Sequence, residues 1–125
     1  MKESGENYLE TILLLTRRLE CVRAVDVANE LGYSKPSVSR ALGILRDTGL
    51  VAVDDKSIRL TEAGTLAATA IYERHRVITR FLITTTGLDA ISAEQDACRI
   101  EHVISAETFG RIRSFVENHI KETDK

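Results

Sequence analysis

The run Cys98-Arg99-Ile100-Glu101-His102 sets a thiol, a carboxylate and an imidazole at positions i, i+3 and i+4. On a helix those side chains fall within about 100° of arc, so they can close on one small cation. Thiolate, imidazole and carboxylate together suit a borderline transition ion, whereas an all-oxygen set would point to magnesium or calcium. Glu94, one turn before Cys98, adds an oxygen to the same face. His75 offers a nitrogen from an earlier helix, and Asn7 and Glu10 from the first helix can complete the shell. Each of these residues alone has an ordinary reading: Cys98 as an inert thiol, Glu101 as a solvated carboxylate, His75 as a core histidine on the stripe Ile71, Ile78, Leu82. His119, with only Glu117 and Glu122 nearby, reads as an exposed structural residue.

A second constellation lies at residues 33–50, where Lys35, Arg40 and Arg46 face only Asp47. A helix that reads base edges in a major groove needs short polar or bidentate side chains near its N-terminus. Lys35, Ser37, Ser39 and Arg40 meet that need, with Pro36 in the first turn. Arg40 can read guanine or hold a phosphate, and the serines suit phosphates. Lys56 and Arg59 follow on a short hairpin, where they can reach the adjacent backbone or minor groove.

The elements that position these groups are legible from periodicity and caps. Leu9, Ile12, Leu13 and Leu19 predict a first helix over about 3–18. Val25, Ala28 and Leu31 predict a second over 24–31, ended by Gly32. Ser34 caps a third helix, from Lys35 to about Thr48, with Val38, Leu42 and Leu45 inward and Gly49 as its stop. Val51–Val53 and Ile58–Leu60 form a hairpin with a four-residue polar tip. Thr61 caps a long helix to about Thr85, which Gly87 ends. Ser92, with Gln95 three residues on, starts the next. Ser105 caps the last helix, with Phe109, Ile112, Phe115 and Val116 apolar, and Glu122–Lys125 reads as a frayed tail. The order spells a mainly α fold: a winged helix-turn-helix head over residues 1–60, then a helical unit over 61–125.

Composition fits that division. The chain has 125 residues, is 43% hydrophobic and carries a net charge of −2. Residues 1–60 hold nine basic and nine acidic side chains, and residues 61–125 hold eight and ten. The acid excess falls in the candidate metal half, and any pull on nucleic acid must be local. No apolar run is long enough to cross a bilayer, and the N-terminus leads into an amphipathic helix, so a cytoplasmic protein is expected. Cys21 and Cys98 then read as reduced thiols, with Cys98 available as a ligand.

These residues resemble the metal-dependent repressors typified by the diphtheria toxin repressor and the manganese transport regulator. The resemblance rests on Tyr8-Leu9, on Ser34-Lys35-Pro36-Ser37-Val38-Ser39, on Leu60-Thr61-Glu62-Ala63-Gly64, on Arg74-His75-Arg76, and on the stretch from Ala97 to Ser105. It implies that Cys98, Glu101, His102 and His75 are ligands, with cysteine as in the iron-responsive branch, and that Glu10 matches a carboxylate of the manganese branch. Asn7 departs from both branches, which have methionine or aspartate there. Thr79 and Glu94 depart from the iron branch's ancillary site, and Arg40 replaces a glutamine commonly used for base contact. The resemblance is to the short form of the family, so a third, SH3-like domain is not expected.

The resemblance implies a dimeric, metal-activated repressor that binds palindromic operator DNA, with iron(II) favoured, manganese(II) the other candidate, and one or two ions per subunit. Ile100, Val103, Ile104, Phe109 and Phe115 are expected to supply the homodimer surface. Neither a membrane nor a small-molecule substrate is expected, and no enzymatic role. The rivals are a winged-helix sensor of thiol oxidation or of a small organic ligand, a small metalloenzyme, and a purely structural metal.

Overall fold

A computed structural model describes residues 3–123, with side chains described for residues 5–119. It shows α1 (Glu3–Arg18), α2 (Ala24–Leu31), α3 (Lys35–Asp47), β1 (Val51–Asp54), β2 (Ser57–Leu60), α4 (Glu62–Thr86), α5 (Ala90–Ile100) and α6 (Ala106–Thr123). Residues 1–70 form one compact unit and residues 71–125 another, the division falling within α4. Among the described residues no helix is long and apolar enough to cross a membrane. Of the expected tail, Asp124 and Lys125 lie outside the described residues, and α6 continues through Thr123.

In the first unit α1 packs on α2, α3 and β2. Leu9, Ile12, Val22, Val27, Val38, Leu42, Leu45, Val51 and Ile58 make its core. The arrangement is a winged helix-turn-helix. Two inward assignments differ from the periodic reading. Val25 is exposed and Val27 is fully buried, because the stripe of this two-turn helix runs through Val27 and Ala28. Leu19 lies past the end of α1 and is exposed, and Leu15 closes the stripe instead.

Local chemistry sets the ends. Gly32 takes φ 71° and its N–H bonds the Ala28 carbonyl, so the helix stops where a Cβ would be unfavourable. Ser34 Oγ accepts from Ser37 N–H at 3.3 Å, which fixes the start of α3. The wing is tighter than expected. Pairing runs from Val51↔Leu60 through Asp54↔Ser57, leaving a two-residue tip, Asp55-Lys56. Both tip residues take positive φ, 48° and 68°, the signature of a type I′ turn whose twist matches the strands. The Ile58 N–H also donates to the Val22 carbonyl at 2.7 Å, which ties the wing to the α1–α2 connection.

α4 starts where Thr61 Oγ1 accepts from Gly64 N–H at 3.0 Å. A Cβ on Gly64 would overlap the Leu50 carbonyl oxygen, so glycine is what lets α4 pass this close to the chain entering β1. In the second unit Ile78, Ala97 and Phe109 form the core, with Val77, Leu82, Ile100 and Ile104 packed against it.

The two special backbone positions give opposite expectations for stability in urea. Gly64→Ala should destabilise by about 1–3 kcal/mol, because backbone must move. Lys56→Gly should stabilise by up to about 1 kcal/mol, because it places the favoured Asp-Gly pair in the turn. An unchanged urea midpoint for either variant would contradict the turn and close-approach assignments.

Candidate metal centre and nucleic-acid interface

The second unit is built around a carboxylate. Glu101 caps the C-terminus of α5, and its side chain is 0% exposed. Its Oε2 lies 3.1 Å from Nδ1 of His75, on α4. Its Oε1 lies 3.2 Å from Nε2 of His102, whose side chain is 1% exposed. That second approach makes no hydrogen bond of good geometry, and among the described residues Oε1 accepts none from any other group. Cys98, one turn earlier on α5, holds its Sγ within 4.8 Å of a Glu101 carboxylate oxygen.

An ionised carboxylate shut away from water needs a cation or a full set of donors. Two donors, each about 2.1 Å from one transition ion, lie about 3.0–3.4 Å apart for octahedral to tetrahedral spacing. The 3.2 Å between Glu101 Oε1 and His102 Nε2 falls in that range. His75 brings an imidazole nitrogen to the same carboxylate. The residues present therefore fit a transition ion.

One feature of the candidate site differs from the helical-arc expectation. α5 ends at Ile100, and His102 lies in the turn beyond it. The turn tightens because His102 N–H bonds the Arg99 carbonyl, at 3.4 Å, three residues back. Cys98 stays on the helix, and Glu101, its C-cap, stays adjacent to His102 through the turn. The cap that starts α5 is also different: Asp89, not Ser92, is the N-cap. Asp89 Oδ1 accepts from Ser92 N–H at 2.8 Å, because a charged oxygen at the helix start outcompetes a hydroxyl three residues on.

Glu94 is exposed on α5, one turn before Cys98. Asn7 is half-buried and Glu10 is buried, both on α1 in the first unit. Of the apolar set expected on the dimer surface, Phe109 is buried and Ile100 and Ile104 pack against its cluster. Val103 and Phe115 remain exposed, together with Ile83 and Ile91. His119 is half-buried, with its ring stacked on Phe115 at 6.0 Å between centroids, so it is not the exposed residue expected. The sequence reading missed Arg74, whose guanidinium donates to the Glu101 carbonyl at 3.0 Å. Its only signal was its place beside His75.

On α3, Lys35, Pro36, Ser37, Ser39 and Arg40 are all exposed. One flank of α3 faces a groove walled by Arg23, Lys35, Arg46 and Lys56, with Ser39 between them and no acidic residue among its lining. Arg23, which lies outside residues 33–50, was not singled out from sequence, and Arg46 was counted there only toward the local charge. The other flank carries Ser37 and Arg40 beside Tyr8, Tyr33 and Ile44. Arg59 is exposed, and its Nε bonds Asp54 Oδ2 at 2.9 Å along the wing. A convex helix with cations along it has the shape and charge for a duplex groove and its phosphates.

Residues 1–57 match the family model described as "Iron dependent repressor, N-terminal DNA binding domain". Residues 61–123 match the model described as "Iron dependent repressor, metal binding and dimerisation domain". The chain belongs to the iron-dependent repressor family. Within that family it is 35% identical over 111 residues to the diphtheria toxin repressor of Corynebacterium diphtheriae, covering 88% of this chain and 49% of that protein. It is 34% identical to the transcriptional regulator MntR of Escherichia coli, covering 94% of this chain and 76% of that protein. The manganese regulator SloR matches in structure with a TM-score of 0.80 at 29% identity, over 90% of this chain and 53% of that one. A manganese-dependent transcriptional repressor in complex with manganese matches with a TM-score of 0.84 at 27% identity, over 90% and 52%. The chain thus spans about half the length of the diphtheria toxin repressor and of these two structures.

The Asp89 cap makes a pH-dependent contribution that can be measured. The Ser92 hydrogen bonds hold the Asp89 carboxyl below its ordinary value of 3.8. A depressed folded-state value means the stabilisation is complete above 3.8 and is lost as pH falls through the folded value. Urea melts of the native protein and Asp89→Ala should therefore differ at neutral pH and converge in acid. A gap that persists in acid would show that the charge is not what caps α5.

Proposed function

We propose that this chain is a metal-activated, DNA-binding transcriptional repressor of metal homeostasis genes. It acts as a homodimer in the cytoplasm, with residues 1–60 as the DNA-binding head and 61–125 as the metal-binding and dimerisation part. The observation that carries the reading is the buried Glu101 carboxylate between His75 and His102, with Cys98 beside it, in the same chain as an exposed, cation-flanked α3. Family membership supports it.

Cys98, Glu101, His102 and His75 are the proposed ligands of the principal ion, iron(II) by preference because of the thiolate, with manganese(II) the alternative. When bound, the ion supplies two positive charges that fix the directions of these side chains. Asn7 and Glu10 on α1 are the residues through which the head would respond to it. Glu94, exposed one turn from Cys98, is the proposed contribution to a second ion. A swing from 1:99 to 99:1 between idle and DNA-competent states needs about 5.5 kcal/mol of differential binding, which two ions per subunit reach more readily than one.

On DNA, Arg40 and the N-terminal turn of α3 face the bases. Ser37, Ser39, Lys35, Lys56 and Arg59 hold the backbone on either side. The direct experiment is anaerobic selection from a pool of random duplexes with iron(II), manganese(II) or chelator, followed by sequencing. Enrichment of a palindrome only with metal is the expected result, and enrichment that ignores chelator would overturn the reading.

Cys98→Ala and His102→Ala should each abolish metal-dependent DNA binding while leaving the circular dichroism spectrum intact. A variant that still responds normally to metal would remove that residue from the ligand set. Arg40→Ala should weaken operator binding by about 1–3 kcal/mol and relax sequence preference at one position. An equal loss on random DNA would make Arg40 a phosphate contact.

A further inference from the structure

The geometry points to Arg74 as the positioning residue of the metal centre, acting through the peptide unit that joins two of the proposed ligands. The inference rests on the metal reading above. The last carbonyls of a helix lack partners within it, and at the end of α5 the Glu101 carbonyl receives the Arg74 guanidinium at 3.0 Å. That carbonyl belongs to the Glu101–His102 peptide. Because a peptide is planar, one hydrogen bond to its oxygen sets the plane from which both the carboxylate and the imidazole depart.

The arginine is itself held. Its guanidinium carbon lies 5.1 Å from the centre of the Phe109 ring, and that of Arg113 lies 4.9 Å from the same centre. Arg113 is balanced by Glu73 at 2.7 Å. Phe109 is in the core beside Ile78 and Ala97, so the platform under Arg74 is packed into the base of the unit. α4 therefore supplies the centre twice: His75 faces the carboxylate oxygens, and Arg74 faces the backbone that carries them. A lysine has no planar fork to lie on the ring and bond the carbonyl together.

The test is a cobalt(II) titration of the full chain, followed by absorption, with amide hydrogen exchange of the metal-free protein alongside it. Arg74→Gln should weaken cobalt binding at least about tenfold, as loss of an outer partner of a ligand does, and should shift the d–d bands. In the metal-free protein it should speed exchange selectively at Val103 and Ile104, whose amides bond the Ile100 carbonyl within the same turn. Arg74→Lys should recover only part of each effect. Native affinity, spectrum and exchange in Arg74→Gln would overturn the assignment. So would a uniform rise in exchange over α4, α5 and α6, which would make Arg74 a general stabiliser. Absence of cobalt binding by the native chain would overturn the metal reading and this inference together, whereas normal binding by the native chain and the glutamine variant alike would overturn this inference alone.

Discussion

A carboxylate closed off from water between two imidazoles is the constraint around which the second unit is organised. Glu101 has no exposed side-chain surface, its two oxygens meet nitrogens at 3.1 and 3.2 Å, and one of those approaches is not a hydrogen bond. A group of that kind is costly to bury in isolation, and removing one partner of such a set leaves the others uncompensated. The surrounding choices follow from it. The α5 turn is tightened so that His102 comes round beside Glu101, and His75 is set on the inward face of α4. The Ile78, Ala97 and Phe109 core gives α4, α5 and α6 a fixed base on which to hold these groups.

The first unit answers a different constraint, that of presenting one helix to solvent. α3 buries Val38, Leu42 and Leu45 and exposes the residues between them, so the face that would meet DNA is polar without being strained. Strain is instead placed at the wing tip, where Lys56 takes a φ of 68° that glycine would adopt more easily. A lysine kept in that position puts a cation at the edge of the groove that Arg23, Lys35 and Arg46 also wall. Stability is given up where charge is wanted.

Most of the fold was legible because it is written in short-range signals. Gly32, Ser34, Gly49 and Thr61 each act within a turn of themselves, and the structure uses them as caps and stops as expected. The misses share a cause. Val25 and Val27 are both apolar, and which one faces inward depends on where α1 lies. Asp89 and Ser92 are both good caps, and the stronger acceptor wins by starting the helix earlier. In the site, the residue types of Cys98, Glu101 and His102 were readable from spacing, but the end of α5 at Ile100 was not, since Glu101 and His102 carry no breaker signal. The role of Arg74 was not legible, because its partner is a backbone carbonyl 27 residues away, which no side-chain pattern marks.

If metal and DNA are linked, the linkage must run both ways: the factor by which the ion tightens DNA binding equals the factor by which operator DNA tightens ion binding. The decisive measurement is therefore the manganese(II) affinity of the protein with and without saturating operator duplex, under anaerobic conditions and at one salt concentration. The account predicts tighter metal binding on the operator, by the same factor that metal improves DNA affinity. Equal metal affinity in the presence and absence of operator would contradict it and leave the Glu101 centre with a structural role only.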